Sequence, residues 1–309
     1  MLYRPFGKMD WSVSAIGLGT WNLGNQWGEI DDATAEGIVH AAVDNGVNLI
    51  DVADAYGIPH GLSEIRLGKA LKGKRNGVYI VSKVGHYGKR SGQAVSFTTP
   101  DMVRMCGHAI LGRLRTHRLD VLLCHEGNIK DPSIYIEGFE ALKKEGFIRQ
   151  YGISTNDLDV LKRFNEMSGE SCAVVELDYS LVNREPEKEF LPYCRKNKIA
   201  VLARGPLAMG LLSGRYDLDT EFTDSVRKKF NKGEPGREGF EKRLAIVEKV
   251  KAAIGDRSLV RTALQYVISH AVNPVAIPGA TRVAQAESNA EAGAEALDED
   301  LYKALRALE

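Results

Sequence analysis

The chain has 309 residues, 44% of them hydrophobic and 27% charged, a globular composition with length for one large barrel or two small domains, which excludes a disordered or fibrous protein. Its 41 Lys and Arg balance 41 Asp and Glu, so no global field exists to gather nucleic acid or an anionic membrane, and a small-molecule partner is expected. Charges at Arg4, Lys8 and Asp10 fall where a signal peptide needs an apolar core, and no apolar run of ~18 residues follows, so a cytoplasmic chain is expected.

In chain order, residues 1–17 read as a β-hairpin, LYRPF and WSVSAIG about a KMD turn, placed to plug the bottom of a barrel. Seven Val, Ile and Leu-rich runs follow: VNLIDVA at 47–53, VYIVSKV at 78–84, LDVLLCH at 119–125, IRQYGIS at 148–154, CAVVELDY at 172–179, IAVLARGP at 199–206 and VAIPGA at 275–280. Between them lie helical patterns at 33–45, 63–71, 100–115, 132–144, 158–167, 185–196, 238–253 and 258–270. Nearly continuous apolar strands need cover on both faces, and repeated strand-helix units of this number close most economically into a single-domain (β/α)8 TIM barrel. The eighth strand is placed near 292–296, with a final helix at 298–308. Residues 213–242, charged and rich in glycine, break the rhythm and read as a structureless insertion serving as a lid over a ligand.

The four cysteines and seven histidines show neither zinc-ligand nor dithiol spacing, so no metal site is expected. In a barrel of this kind reactive groups stand at the carboxyl ends of strands. Those ends supply Asp51, with Tyr56 five residues on, then Lys83, then His125. A buried Lys83 needs a carboxylate, and Asp51 is its expected partner. The pair is expected to lower the pKa of Tyr56 by favouring phenolate, making it a proton donor near neutral pH. His125 would orient a carbonyl oxygen, and the hydride must then come from a nicotinamide cofactor. Taken singly, each residue reads more readily as a structural ion pair, a core tyrosine or a satisfied histidine than as a reactive group; four at successive strand ends weigh against that.

The sequence resembles the aldo-keto reductase superfamily over essentially its whole length. The matching motifs are GLGTW at 17–21, LIDVADAYG at 49–57, SEIRLGKAL at 63–71, VSK at 81–83, LDVLLCH at 119–125, GIS at 152–154, GLLSGRY at 210–216 and IPGATRVAQAESN at 277–289. The resemblance implies an NAD(P)H-dependent carbonyl reductase in which Tyr56 is the acid/base, supported by Lys83, Asp51 and His125. No Rossmann fingerprint is present: Gly19 is followed by Thr20 and Trp21, so the phosphates are assigned to late-strand loops and a helix N-terminus. There Ile277, Gly279, Ala280, Thr281 and Arg282 form the phosphate loop, with Gln285 and Asn289 facing adenine and its ribose. The chain has Gly279 and Gln285 where many family members carry lysine and arginine, and Arg282 is assigned the 2′-phosphate; NADP(H) is the expected cofactor, with NAD the alternative.

By the same resemblance Ser154 bonds the nicotinamide carboxamide, alongside Glu176 where glutamine is usual. Arg204 takes the place of a stacking aromatic ring, followed by Gly205, Pro206 and Leu207. Gly210, Leu211, Ser213 and Arg215 resemble the loop over the pyrophosphate. Trp21, Tyr56, His125 and Glu126 border the substrate, and Glu126 and Asn128, with Asn22 and Lys89, favour a polyhydroxylated carbonyl such as a sugar. Two other classes fit the barrel: a redox-sensing subunit that binds cofactor with little turnover, and a Schiff-base aldolase using Lys83.

Overall fold

The computed structural model describes residues 1–89 and 92–308. Strands β1 (Tyr3–Phe6) and β2 (Met9–Ser14) pair antiparallel as the expected hairpin. On β2 exposed and buried residues alternate, so Met9, Trp11 and Val13 share one buried face. With Phe6 they pack beneath the inward-facing Leu49, Val81, Leu123, Val174 and Leu202 and form the barrel floor.

Eight parallel strands form the barrel: β3 (Leu18–Gly19), β4 (Leu49–Asp51), β5 (Tyr79–Val84), β6 (Leu119–Cys124), β7 (Ile148–Ser154), β8 (Val174–Asp178), β9 (Ala200–Arg204) and β10 (Val275–Ala276). They neighbour one another in chain order, and bridges of Ile16 to Ala276 and of Gly19 to Gly279 close the ring. The expected strand at 292–296 is a correction: Ala292 ends a helix, and the eighth strand is instead β3, directly after the hairpin. Two residues of ladder are too short to show a periodic apolar pattern, which is why the sequence hid it.

The helices are α1 (Asp32–Asp44), α2 (Leu62–Ala70), α3 (Pro100–Leu114), α4 (Ser133–Lys144), α5 (Leu158–Met167), α6 (Phe190–Lys196), α7 (Arg237–Ile254), α8 (Leu259–Ile268), α9 (Val283–Ala292) and α10 (Glu299–Arg306). Short polar side chains start several of them: Asp31 accepts from the Thr34 amide, Thr99 from Met102, and Asp157 from Asp159 and Val160. The helix expected at 185–196 breaks into a 3-10 turn at Glu185–Glu187 and then α6, with Pro186 and Pro192 each near the start of its own piece.

Residues 213–242 are not structureless. Phe222, Phe230 and Phe240 pack together with ring centroids 5.7 to 6.1 Å apart, and Tyr216 meets Phe222 at 5.0 Å. The Asn231 side chain bonds both the amide and the carbonyl of Phe222. Arg227 pairs with Asp224 at 2.8 Å and lies over Trp27, from the connection between β3 and α1. The insertion therefore has its own small aromatic core and is tied across the barrel mouth. Among the described residues no helix is long and apolar enough to cross a membrane, and no three metal-ligating groups converge.

Candidate active site

The floor residues set the phase of the site. Side chains two apart on a strand share a face. Above Leu49, Val81 and Val174 therefore come Asp51, Lys83 and Glu176, and above Leu123 and Leu202 come His125 and Arg204. The polar residues continue the inward rows of the core past the point where apolar packing ends. Asp51, Glu176, His125 and Arg204 border a cavity of about 1580 Å³ at the carboxyl ends of the strands, with Lys83 buried behind them.

At its base Lys83 is fully buried. Its Nζ lies 2.5 Å from Asp51 Oδ1, 3.0 Å from Glu176 Oε2, and 3.1 Å from both the Tyr56 hydroxyl and the Val52 carbonyl oxygen. Asp51 is the anticipated partner; Glu176, from the opposite wall, is a second one. An unpaired buried ammonium would cost several kcal/mol, and burial by itself lowers the Lys83 pKa, but Asp51 and Glu176 reverse this and raise it. Burial, and then the charge of Glu176, push the Asp51 carboxyl well above the usual carboxylate range despite Lys83.

Tyr56 departs from expectation. Burial raises its phenol above the ordinary tyrosine value; Lys83 opposes this, but Asp51 and Glu176 add to it. The lowered pKa anticipated from Lys83 held by Asp51 is thus corrected, first because burial disfavours the phenolate and then because Asp51 and Glu176 both oppose it. Trp21 stacks near Tyr56 with centroids 5.9 Å apart, and His125 meets its ring edge-on at 6.2 Å. His86 stacks on His125 at 4.2 Å and lies 3.8 Å from Glu126, which also meets Lys89 at 3.3 Å. His86, and then Lys89, hold the Glu126 carboxyl below its usual range against the opposing effect of burial. Glu126 and Lys89 thus form a linked charged rim. Arg90 and Ser91 of the same loop lie outside the described residues.

Most of the expected cofactor residues line the same cavity: Gly19, Trp21, Ser154 and Glu176 near the base, Arg204, Gly205, Pro206, Leu207 and Gly210 along one wall, and Ser213, Arg215, Ile277, Gly279, Ala280, Thr281, Arg282, Gln285 and Asn289 toward the far end. Thr20 and Leu211 are behind the wall instead. Thr20 bonds the Asp51 carbonyl at 2.8 Å, and Leu211 is buried in the core. Gln285 Oε1 accepts from the amide and hydroxyl of Thr281, and Asn289 donates to the Gly279 carbonyl, so both brace the loop.

Three observations make the far end a fit for a dinucleotide phosphate. Arg215, Arg243 and Arg282 all line it, and among the described residues none of them is in a salt bridge or side-chain hydrogen bond. A Cβ on Gly279 would stand 1.9 Å from Asn22 Oδ1, so only glycine keeps that close approach open. Ser213 Oγ is buried without a hydrogen-bond partner. Sequence reasoning missed Arg243, which lies in the charged face of α7 with no motif around it, and Trp27, His86, Phe97 and Tyr135 in the lining. It also missed Asn156, whose Oδ1 accepts from Arg204 at 3.1 Å and from the Asp178 amide; its signal was position, two residues beyond Ser154 at a strand end.

The sequence model of the Aldo/keto reductase family matches residues 15–309. The NADH-specific methylglyoxal reductase of Escherichia coli is 32% identical over 70% of each chain. Aldo-keto reductase AKR11C1 of Bacillus halodurans in its holo form superposes with a TM-score of 0.83 at 30% identity, over 100% of this chain and 96% of its own. The glycerol dehydrogenase AKR11B4 of Gluconobacter oxydans gives 0.82 at 30% identity, over 99% and 94%. An aldo/keto reductase of Klebsiella pneumoniae in complex with NADP and acetate gives 0.70 at 28% identity, over 98% and 93%.

Proposed function

The chain belongs to the aldo/keto reductase family, and from that premise we propose that this oxidoreductase transfers hydride between NADP(H) and the carbonyl of a short, polar aldehyde, ketone or sugar, with Tyr56 protonating the carbonyl oxygen. The observation that carries the reading is one continuous cavity with a buried Lys83–Tyr56 contact at its base and three unpaired arginines at its far end. When bound, the nicotinamide supplies the hydride that no side chain can. Arg282, Arg243 and Arg215 hold its phosphates, the first two toward the 2′-phosphate, and the loop at Gly279 gives backbone access. Ser154 and Asn156 are the groups offered to the carboxamide, and Trp21 walls the ring.

His125 and Tyr56 orient the carbonyl oxygen between them, so that negative charge develops against two donors. As carbon gains its new C–H bond and the C=O π bond breaks, the Tyr56 proton passes to oxygen. Lys83, 3.1 Å away, stabilises the phenolate left behind. A proton from water then restores the phenol. Glu126, Lys89 and Asn128 on the rim favour a substrate with hydroxyls near its carbonyl. The names of the glycerol dehydrogenase and methylglyoxal reductase relatives support that class, and the second also keeps NADH in view as the alternative cofactor.

The ion pairs on Lys83 argue against a Schiff-base aldolase, whose lysine must become a neutral amine. A complete proton-transfer set likewise favours turnover over a purely regulatory role. Steady-state oxidation of NADPH with glyceraldehyde, methylglyoxal, an aldose and benzaldehyde tests the proposal. The hydroxylated or dicarbonyl substrates should exceed benzaldehyde in kcat/KM by about tenfold or more; oxidation with none of them would overturn it.

A further inference from the structure

Three of the groups at the base of the cavity carry charge, and they do not balance. The single ammonium of Lys83 meets Asp51 from β4 at 2.5 Å and Glu176 from β8 at 3.0 Å, while the Tyr56 hydroxyl waits at 3.1 Å. Asp51 and Glu176 are both essentially buried, so water does little to screen either. The other chargeable groups around them are His125, beyond β6, and Arg204 at the end of β9; Arg204 is turned toward Asn156. Among the described residues no second cation contacts this cluster. The stabilisation that Lys83 offers a phenolate is therefore shared with two carboxylates.

We infer that Glu176 is a positioning residue for the proton donor: by sharing Lys83 with Asp51 it holds Tyr56 in the phenol form and so keeps the donor loaded to higher pH than Lys83 and Asp51 alone would. The inference rests on the reading of Tyr56 as acid/base. Reduction requires the phenol and oxidation the phenolate, so a negative charge added beside Lys83 moves the pH windows of both directions upward together, while their ratio at any one pH stays fixed by the equilibrium of the reaction. Removing a carboxylate this close should lower the tyrosine ionisation by about one pH unit or more.

The test is an alkaline titration of phenolate absorption, taken as the difference between each protein and its Tyr56→Phe counterpart, which needs no turnover. In the parent, the Tyr56 signal should emerge above the ordinary tyrosine range of about pH 10. In Glu176→Gln it should emerge at least about one unit lower, while Glu176→Asp, which keeps the charge, should stay nearer the parent. With a reducible carbonyl in hand, the alkaline limb of kcat/KM for reduction should fall by the same amount in Glu176→Gln, and the acid limb of kcat/KM for alcohol oxidation should move down alongside it. A parent Tyr56 that ionises at or below the ordinary range, or a Glu176→Gln signal that does not move, would overturn the assignment; the second would show Asp51 taking up the charge that Glu176 gives. If no carbonyl is reduced, the proposed reaction fails, yet the phenolate titration still decides the role of Glu176.

Discussion

Lys83 Nζ lies 3.1 Å from the Tyr56 hydroxyl and 4.8 Å from the centre of its ring, so the ammonium approaches the phenol at its oxygen and also over its π face. The contact is held from below by Asp51 and from across the barrel by Glu176. It is the point at which stability and chemistry depend on the same atoms.

Replacing Lys83 by Met leaves two buried carboxylates facing each other without a cation. Urea unfolding near neutral pH should show a loss of about 3–5 kcal/mol. The loss should shrink in acid, where protonation relieves the repulsion between Asp51 and Glu176. A loss below about 1 kcal/mol, typical of a surface ion pair, would mean that the cluster is more hydrated than its burial implies.

The far end of the cavity predicts a split between cofactors. Arg282→Ala and Arg243→Ala should each weaken NADPH binding, followed by the fluorescence of Trp21, by about tenfold to a hundredfold, the worth of a charge-assisted hydrogen bond of 1.5–3 kcal/mol. NADH, which lacks the 2′-phosphate, should change little. Equal losses for both cofactors would move these arginines to the pyrophosphate.

Asp54, 1% exposed between Tyr56 and the barrel wall, has its carboxyl pushed up to about 8 by burial and then by the nearby Glu64. An unfolded aspartate ionises near pH 4. Between about pH 4 and 8 the folded chain therefore holds a proton that the unfolded chain has released, and stability contributed by this group is greatest below that window and lost as pH rises through it. Asp54→Asn cannot ionise. From about pH 5.5 to 8.5 the parent should lose more than about 1 kcal/mol of unfolding free energy relative to Asp54→Asn; parallel curves would mean that Asp54 is already ionised in the folded protein.

The barrel was legible because its inward and outward faces are both apolar, which gives β5 to β9 their dense Val and Leu runs, and because long amphipathic helices separate them. The first strand of the barrel escaped for the opposite reason: Leu18 and Gly19 carry no periodicity, and the barrel closes there by Ile16 against Ala276 and Gly19 against Gly279. Asp51, Tyr56, Lys83 and His125 stood out as polar endings to apolar strands. The partnership of Glu176 with Lys83 did not, since it joins strands on opposite sides of the barrel and no local spacing encodes it. The aromatic core of residues 213–242 was similarly masked, because three phenylalanines eight and ten residues apart, set among charged residues, form no local apolar run.

The central claim is that Tyr56 supplies the proton for carbonyl reduction, and the direct measurement is single-turnover NADPH oxidation by parent and Tyr56→Phe proteins with the best carbonyl substrate, beside NADPH affinity for both. Loss of the hydroxyl should cut the reduction rate by about 100-fold to 10,000-fold while NADPH affinity stays within about threefold, since the ring and the phosphate end are untouched. A Tyr56→Phe protein that reduces the substrate within tenfold of the parent rate would contradict the account.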